Sequence, residues 1–266
     1  MPVSPLDCAQ VVILAKSQDT SPEMLSELAR DKRHAVRECV AKNPMTPLDA
    51  FSALVVDGDH ALRLAVAKNP NCPSETLSLL GKQFCADILM REFLAQHSNC
   101  PEELLAIMAK DSEPTVRTRV GENPSCPVAV LSALAGDASV NVRTGVAKNR
   151  ASPLDVLVDL ACFDQFEIPR KYARKTLQAQ SAADWEKATS YGPILSKPTG
   201  TGTSQTSIGD ALMAIGLIDV YQNIQAAELT WQISAASGLK NGSPVLYFPD
   251  HAKSGSNRSE PKKMKL

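Results

Sequence analysis

One short phrase recurs along the chain at a nearly constant interval. It reads VAKNPNCP at 66–73 and VGENPSCP at 120–127, and each copy ends in a small residue followed by proline. These prolines stand at positions 22, 47, 73, 101, 127 and 153, so successive copies lie 25 to 28 residues apart. A fixed period between about 20 and 50 residues is typical of solenoids and related repeat arrays.

Each unit is predicted to contain two short helices, and the first begins at the small residue and the proline. A small, weakly polar side chain suits the N-cap, and proline suits the first helical position, where the backbone N–H has no helical partner. The predicted cap residues are Ser21, Thr46, Cys72, Cys100, Cys126 and Ser152.

An aspartate followed six residues later by an arginine marks the second helix of a unit. Arg91 holds the arginine position in a unit that is two residues longer and has Cys85 in place of the aspartate. Valine and alanine recur around each arginine at helical spacing and predict one buried face. The helix must end before Asn-Pro, because proline disfavours the α conformation in the residue before it. The pairs are Asp31 and Arg37, Asp57 and Arg63, Asp111 and Arg117, and Asp137 and Arg143.

Together these signals resemble the leucine-rich repeat variant family, whose units follow Asp-x5-Arg-x2-Val-Ala-x-Asn-Pro-x2-Pro-x3-Leu-x2-Leu-Ala. The match covers roughly residues 20–180. The resemblance implies a right-handed superhelix of α-helices alternating with short, often 3₁₀, helices, related to armadillo and HEAT solenoids, and no catalytic activity. We therefore predict an all-α fold: a right-handed α-solenoid of two-helix repeats of about 26 residues, with a C-terminal helical cap.

Besides the longer unit with Cys85, two further features depart from the family pattern. In the last unit either Arg170 or Arg174 fits the arginine position. A known member of the family carries a cysteine-rich iron-sulfur module before its repeats, whereas Cys8 stands alone here. That function is therefore not carried over.

Four segments are predicted: a solenoid at 1–180, a connecting segment and flexible linker at 181–206, a helical segment at 207–251, and a disordered basic tail at 252–266. A solenoid exposes an apolar end unless something covers it. The helical segment is therefore interpreted as an end cap, with a separate docking module as the alternative. The apolar residues available for the cap are Ile208, Leu212, Ile215, Leu229 and Ile233.

The cysteines of the repeat are not expected to bind metal. Cys72, Cys100 and Cys126 hold equivalent positions, and stacked helices lie about 8 to 10 Å apart. Sulfurs that share one zinc ion must each lie about 2.3 Å from it. The same distance argument applies to His34 and His60, so we predict no metal site and no cofactor.

The arginine column has two interpretations. Arg37, Arg63, Arg91, Arg117 and Arg143 could line a groove and bind phosphates or acidic peptides. Alternatively, the aspartates Asp31, Asp57, Asp111 and Asp137 neutralise them within or between units, as in the Asp and Arg ladder of HEAT repeats. The paired spacing favours the structural role, and Arg91, without its aspartate, is the candidate for binding.

Composition and motifs narrow the function. The 28 basic and 29 acidic side chains produce no overall attraction to nucleic acid or anionic membrane. The start lacks a signal-peptide pattern, no apolar stretch approaches the length of a membrane span, and the seven cysteines form no CxxC, which together favour the cytoplasm. No HExxH, GxSxG, GxGxxG or phosphate-binding loop is present.

The sequence therefore predicts a non-catalytic scaffold that binds a protein or peptide partner through the solenoid surface. The alternative is a nucleic-acid-binding solenoid similar to the HEAT-like DNA alkylation repair proteins. It is motivated by the arginine column and by the basic tail, whose net charge is +4.

Overall fold

The structure is a computed structural model that describes residues 7–56, 59–84, 86–200 and 205–237. Asp57, Cys85, the centre of the predicted linker and the basic tail lie outside these ranges. In chain order the elements are α1 (Cys8–Lys16), α2 (Pro22–Leu28), α3 (His34–Lys42), α4 (Leu48–Val56), α5 (His60–Lys68), α6 (Ser74–Gln83), α7 (Ile88–Gln96), α8 (Glu102–Met108), α9 (Pro114–Glu122), α10 (Val128–Leu134), α11 (Val140–Lys148), α12 (Leu154–Phe163), α13 (Glu167–Gln178), α14 (Ala182–Ala188), β1 (Pro198–Thr199), β2 (Thr206–Ser207), α15 (Ile208–Ala214) and α16 (Ile218–Ala236).

The helices form two layers. The even-numbered helices α2 to α12 are the first helices of the units and make up the first layer, and α1 and the odd-numbered helices to α13 make up the second layer. Apolar faces of both layers meet in one continuous core. The chain is thus an all-α repeat solenoid. Its described helices are all α-helices, so the 3₁₀ helices implied by the family resemblance are not seen in the described ranges.

The buried face of the second layer is the one that the sequence predicts. In the four units with a paired aspartate and arginine, the residue before the arginine is valine or leucine. The third residue after the arginine is valine, and the fourth is alanine or glycine. The predicted residues that are buried are Val36, Val40 and Ala41; Leu62, Val66 and Ala67; Val116, Val120 and Gly121; and Val142, Val146 and Ala147.

Helices of the second layer approach one another more closely than helices of the first layer. Gly145 in α11 shows why: a Cβ atom there would come within 2.9 Å of the carbonyl oxygen of Thr118 in α9. Each second-layer helix packs on the next along the whole array, whereas successive first-layer helices have fewer contacts. The second layer is therefore the more closely spaced of the two layers.

In the five units after the first, the first helix begins one residue later than predicted. The carbonyl of Pro73 accepts the first helical hydrogen bond, from Leu77 N–H, so Pro73 is the N-cap and Cys72 precedes it. Pro101 and Pro127 take the same role after Cys100 and Cys126. Pro153 is likewise the N-cap after Ser152, and the carbonyl of Pro47 accepts the first helical bond after Thr46. The N-cap prediction is therefore wrong for Thr46, Cys72, Cys100, Cys126 and Ser152.

In the first copy of the repeat, the small-residue position lies one residue earlier than predicted. The carbonyl of Ser21 accepts the first bond of α2, as prolines do in later units, so Thr20 and not Ser21 holds the small-residue position. Thr20 Oγ1 donates to the carbonyl of Leu14 at 2.7 Å, as Ser152 Oγ does to the carbonyl of Val146 at 2.7 Å. The small-residue position therefore recurs every 26 residues from Thr20 to Ser152, except for one insertion of two.

The residues after α13 pack against the end of the array. Helix α15 contacts α12, and α16 contacts α13 and α14. The strands β1 and β2 pair in antiparallel orientation within the region predicted to be a flexible linker. Glu228 Oε1 accepts hydrogen bonds from Ile194 N–H at 2.6 Å and Leu195 N–H at 2.7 Å, and Asp159 accepts one from Gly200 N–H at 2.8 Å.

Only part of the predicted cap is buried. Ile208 and Leu212 are buried. Leu229 and Ile233, which the sequence assigned to the same cap, are 53% and 68% exposed. Their helix turns a different face toward α13 and α14, on which Val220, Ile224 and Ala227 are buried.

Candidate partner-binding surface

Three arginines of the predicted column form bidentate ion pairs with the aspartate of the following unit. Nε and Nη2 of Arg117 lie 2.7 and 3.0 Å from the two carboxylate oxygens of Asp137. The corresponding distances are 2.6 and 3.2 Å between Arg91 and Asp111. These guanidinium side chains and that of Arg143 are only 12% to 16% exposed. The pairs therefore link neighbouring units and leave little of these arginines for a ligand.

Each ladder aspartate also organises the start of its own helix. Asp137 Oδ1 accepts a hydrogen bond from Ser139 N–H at 2.8 Å, and its backbone carbonyl accepts one from Arg143 Nη1 at 2.8 Å. Hydrogen bonds from Arg117 are the main cause that lowers the pKa of Asp137. The aspartate six residues before an arginine thus offers its carbonyl to that arginine and its carboxylate to the preceding one.

Arg91, the predicted binding candidate, is paired after all. Its partner Asp111 lies in the next unit, so the missing aspartate at position 85 does not leave it without a carboxylate. The interpretation of Arg91 as the available cation of the column is therefore wrong.

The sequence analysis missed the last member of the ladder, Asp164. It accepts bonds from Arg143 Nε at 2.6 Å and Nη2 at 3.1 Å. Burial would raise the pKa of Asp164, but these bonds outweigh it and the pKa is lowered. Asp164 stands six residues before Arg170, which assigns the arginine position of the last unit to Arg170 rather than Arg174.

The two remaining arginines have different surroundings. Arg37 Nη1 donates to the carbonyl of Asp31 at 2.8 Å, while the carboxylate of Asp31 pairs with Arg33. That pairing lowers the pKa of Asp31 to about 2. The guanidinium of Arg63 lies 3.9 Å from the ring centroid of Phe84 and donates from Nε to the carbonyl of Val55 at 3.1 Å.

A second ladder, which the sequence analysis missed, is built from the asparagine of Asn-Pro. Asn123 Nδ2 donates to the carbonyls of Ala95 at 2.7 Å and His97 at 2.9 Å in the preceding unit. Its Oδ1 accepts from Ser125 N–H at 2.8 Å. Equivalent bonds are made by Asn43, Asn69 and Asn149, all buried.

Histidine replaces asparagine once in this ladder. His97 Nδ1 accepts from Asn99 N–H at 3.0 Å, and its Nε2 lies 2.7 Å from the carbonyl of Asn69. Since Nδ1 accepts, the proton sits on Nε2, and the ring supplies one acceptor and one donor as asparagine does. The signal in the sequence is that the position six residues after the arginine holds asparagine or histidine in five successive units.

The three repeat cysteines are buried, and burial raises the pKa of each thiol to about 12. No group of three or more His, Cys, Asp or Glu side chains within the described ranges is arranged to hold a metal ion. His34 and His60 each contact a carboxylate of the next unit, at 2.8 Å from Asp59 and 3.5 Å from Asp87. These positions therefore serve contacts within and between units.

The side of the second layer that points away from the first layer is here called the inner face. It consists of the residues two before and one, two and five after each arginine position. In α7 these are Leu89, Glu92, Phe93 and Gln96, and in α13 they are Ile168, Lys171, Tyr172 and Lys175. Unlike the ladder positions, those of the inner face differ from unit to unit. Two residues after the arginine stand Cys39, Ala65, Phe93, Arg119, Gly145 and Tyr172.

On the inner face, a lysine from the preceding unit lies over each of two aromatic rings. Lys68 Nζ lies 4.2 Å from the ring centroid of Phe93, and Lys148 Nζ lies 4.9 Å from that of Tyr172. Such cation–π pairs hold both side chains in place while part of each stays accessible. Beside the rings, the apolar side chains of Leu89 and Ile168 are 50% and 57% exposed.

No protein-family model and no curated protein matches the chain. Among solved structures, the chain is similar to one described as a leucine-rich repeat variant with a novel repetitive protein structural motif. The two are 24% identical over 65% of this chain and 77% of that one, with a TM-score of 0.32. This is the family that the repeat sequence resembles.

Within the ranges that the structure describes, no helix combines the length and the apolar character needed to cross a bilayer.

Proposed function

We propose that the chain is a non-catalytic repeat scaffold that binds a protein or peptide partner on its inner face. The observation that carries the proposal is the pair of lysine-covered aromatic rings, Phe93 and Tyr172, at equivalent positions three units apart. Aromatic side chains are enriched at protein interfaces, and the buried core of an interface is more apolar than the rest of the protein surface.

The distance between the two rings fits an extended peptide. Three steps between stacked helices, at about 8 to 10 Å each, place Phe93 and Tyr172 about 24 to 30 Å apart. An extended chain spans about 3.3 Å per residue. A segment of about eight residues would therefore reach from one aromatic ring to the other.

The state of the arginine column favours this function over nucleic-acid binding. Arg91, Arg117 and Arg143 are committed to bidentate pairs with aspartates and are nearly buried. A backbone-binding surface needs a row of accessible cations along the groove. These three arginines are therefore not available as the accessible cations that nucleic-acid binding would require.

The test is selection of peptide ligands from a displayed library of random 12-residue peptides on the intact chain. Binders are then measured against the variant Leu89→Gln with Ile168→Gln, which removes two exposed apolar side chains of the inner face. The control is Ile107→Gln with Val128→Gln, which removes two side chains of the first layer that are 68% and 58% exposed.

We expect the inner-face variant to weaken binding at least tenfold and the control to change it less than twofold. Absence of any binder, or binders that are sensitive only to the first-layer variant, would contradict the proposal.

A further inference from the structure

The inner face is not uniform in charge, and its C-terminal end is basic. Helix α13 carries Arg170, Lys171, Arg174 and Lys175 against a single acidic residue, Glu167. Lys171 and Lys175 are exposed, and they are spaced four residues apart, so they lie on the same side of the helix. Lys148 from α11 lies over the ring of Tyr172 and pairs with Glu122.

The carboxylates near this end are already engaged. Asp164 is held by Arg143, and Asp159 accepts bonds from Thr199 and from the backbone of Gly200. Glu122 lies 3.1 Å from Arg119 and 3.3 Å from Lys148. Glu167 stands four residues before Lys171 on α13, but among the described residues no ion pair joins an acidic side chain to Lys171 or Lys175.

The rest of the inner face is apolar or balanced. In the first described unit Lys42 pairs with Glu38. In α7 the side chains of Leu89 and Phe93 lie on the inner face beside Glu92, and Lys68 from α5 lies over the ring of Phe93. The middle of the surface therefore combines apolar side chains with one charge of each sign, whereas its C-terminal end is cationic.

We propose that the partner segment is an acidic peptide, with an apolar anchor against Leu89 and Phe93 and its carboxylates against Lys171 and Lys175. This inference rests on the proposed function and adds the chemistry and the direction of the bound segment. A peptide places carboxylates only where its sequence puts them, so it can meet the lysines of α13 and avoid Glu92.

A nucleic acid fits this charge pattern less well. Its backbone carries a charge at every nucleotide, so a strand lying along the face would also bring phosphates to Glu92 and Glu122. The pattern therefore favours a ligand with negative charge at one end.

The experiment starts from the peptides selected on the intact chain. The strongest binder is synthesised, together with a neutral counterpart in which each Asp is Asn and each Glu is Gln, and a 12-nucleotide oligothymidylate serves as the nucleic-acid probe. Affinities are measured by fluorescence anisotropy for the unaltered chain and for the variant Lys171→Glu with Lys175→Glu. The matched control, Lys82→Glu with Lys110→Glu, makes the same change of charge at exposed lysines of α6 and after α8.

We expect the selected peptides to be acidic. The neutral counterpart and the α13 variant should each lose at least tenfold in affinity, whereas the control should lose less than twofold. Binders that are neutral or basic and insensitive to the α13 variant, yet sensitive to Leu89→Gln with Ile168→Gln, would overturn this inference and leave the proposed function standing.

Two other outcomes would also bear on the proposed function. If no peptide binds, the proposed function fails together with the inference. If oligothymidylate binds more tightly than any selected peptide and loses affinity in the α13 variant, the surface is a nucleic-acid site and the acidic-peptide inference is overturned.

Discussion

The guanidinium of Arg117 and the carboxylate of Asp137 join two successive units through two hydrogen bonds of 2.7 and 3.0 Å. The same arginine donates from Nη1 to the backbone carbonyl of Asp111 in its own unit at 2.7 Å. One side chain therefore fixes the entry of its own helix and the position of the next unit. Repetition of this contact at Arg91 and Arg143 makes a ladder along the second half of the solenoid.

Breaking one rung should lower the stability of the whole array. Asp137→Ala leaves Arg117 nearly buried without its carboxylate, and a lost hydrogen bond to a charged group costs about 1.5 to 3 kcal/mol. We expect the free energy of unfolding, measured by urea denaturation, to fall by about that amount. As a control, Arg30→Ala removes an exposed contact at 4.0 Å from Asp49 and should change stability by less than about 1 kcal/mol. Equal effects of the two substitutions would contradict a stabilising role for the ladder.

The ladder also predicts a loss of stability in acid. The pKa values of Asp137 and Asp164 are lowered in the folded chain, whereas an unfolded aspartate titrates near about 3.9. The ion pairs of these aspartates therefore contribute fully to the free energy of unfolding above about pH 5. This contribution is lost as the pH falls below about 4 and passes through the lowered pKa values of the folded chain. Urea midpoints measured from pH 7 to pH 3 should show this decline. It should be smaller in Asp137→Asn, and an unchanged decline would count against Asp137 as a source.

The asparagine ladder should be at least as sensitive to truncation. Asn149 Nδ2 donates to the carbonyls of Gly121 and Asn123 at 2.9 and 2.8 Å, all in the buried interior. Asn149→Ala leaves both carbonyls without this donor, and each unsatisfied buried group costs about 1 to 3 kcal/mol. We expect a loss of at least about 2 kcal/mol by urea unfolding. Asn141→Ala, at an exposed position of α11, should have little effect.

The buried cysteines should be interchangeable with serine and slow to react. Because burial raises the pKa of Cys126 to about 12, native labelling with iodoacetamide at pH 8 should leave it unmodified while the part-exposed Cys39 is alkylated. Mass spectrometry of the labelled chain measures this difference. Cys126→Ser can donate to the carbonyl of Val120 as Ser152 does to Val146, so stability should change by less than about 1 kcal/mol. Rapid labelling of Cys126 in the folded chain would show that this position is open.

The periodic features of the fold were predictable from sequence because every unit repeats them. The core valines around each arginine follow helical spacing, and the aspartate and arginine spacing indicated a ladder. Which aspartate pairs with each arginine was not predictable, since the aspartate six residues before the arginine and the aspartate of the following unit are both within reach of its guanidinium. The packing of adjacent units determines which carboxylate forms the ion pair.

Three features of the structure differ from the sequence-based expectations for physical reasons. Ser21 and Pro22 imitate the small-residue and proline pair, and the interval of 25 residues to Pro47 was the sign that this copy is displaced by one. Asn-Pro was interpreted as a helix stop, and because proline alone accounts for the stop, the role of the asparagine went unnoticed. The exposure of Leu229 and Ile233 depends on how α16 is rotated against α13, which composition does not determine.

The most direct test of partner binding through the inner face is affinity capture from a native cell extract, with and without nuclease, followed by mass spectrometry. The bait is the intact chain, compared with Leu89→Gln with Ile168→Gln and with Ile107→Gln with Val128→Gln. The account predicts a protein partner that survives nuclease, is retained by the first-layer variant and is lost from the inner-face variant. Retention of every partner by the inner-face variant, or recovery that disappears with nuclease, would contradict it.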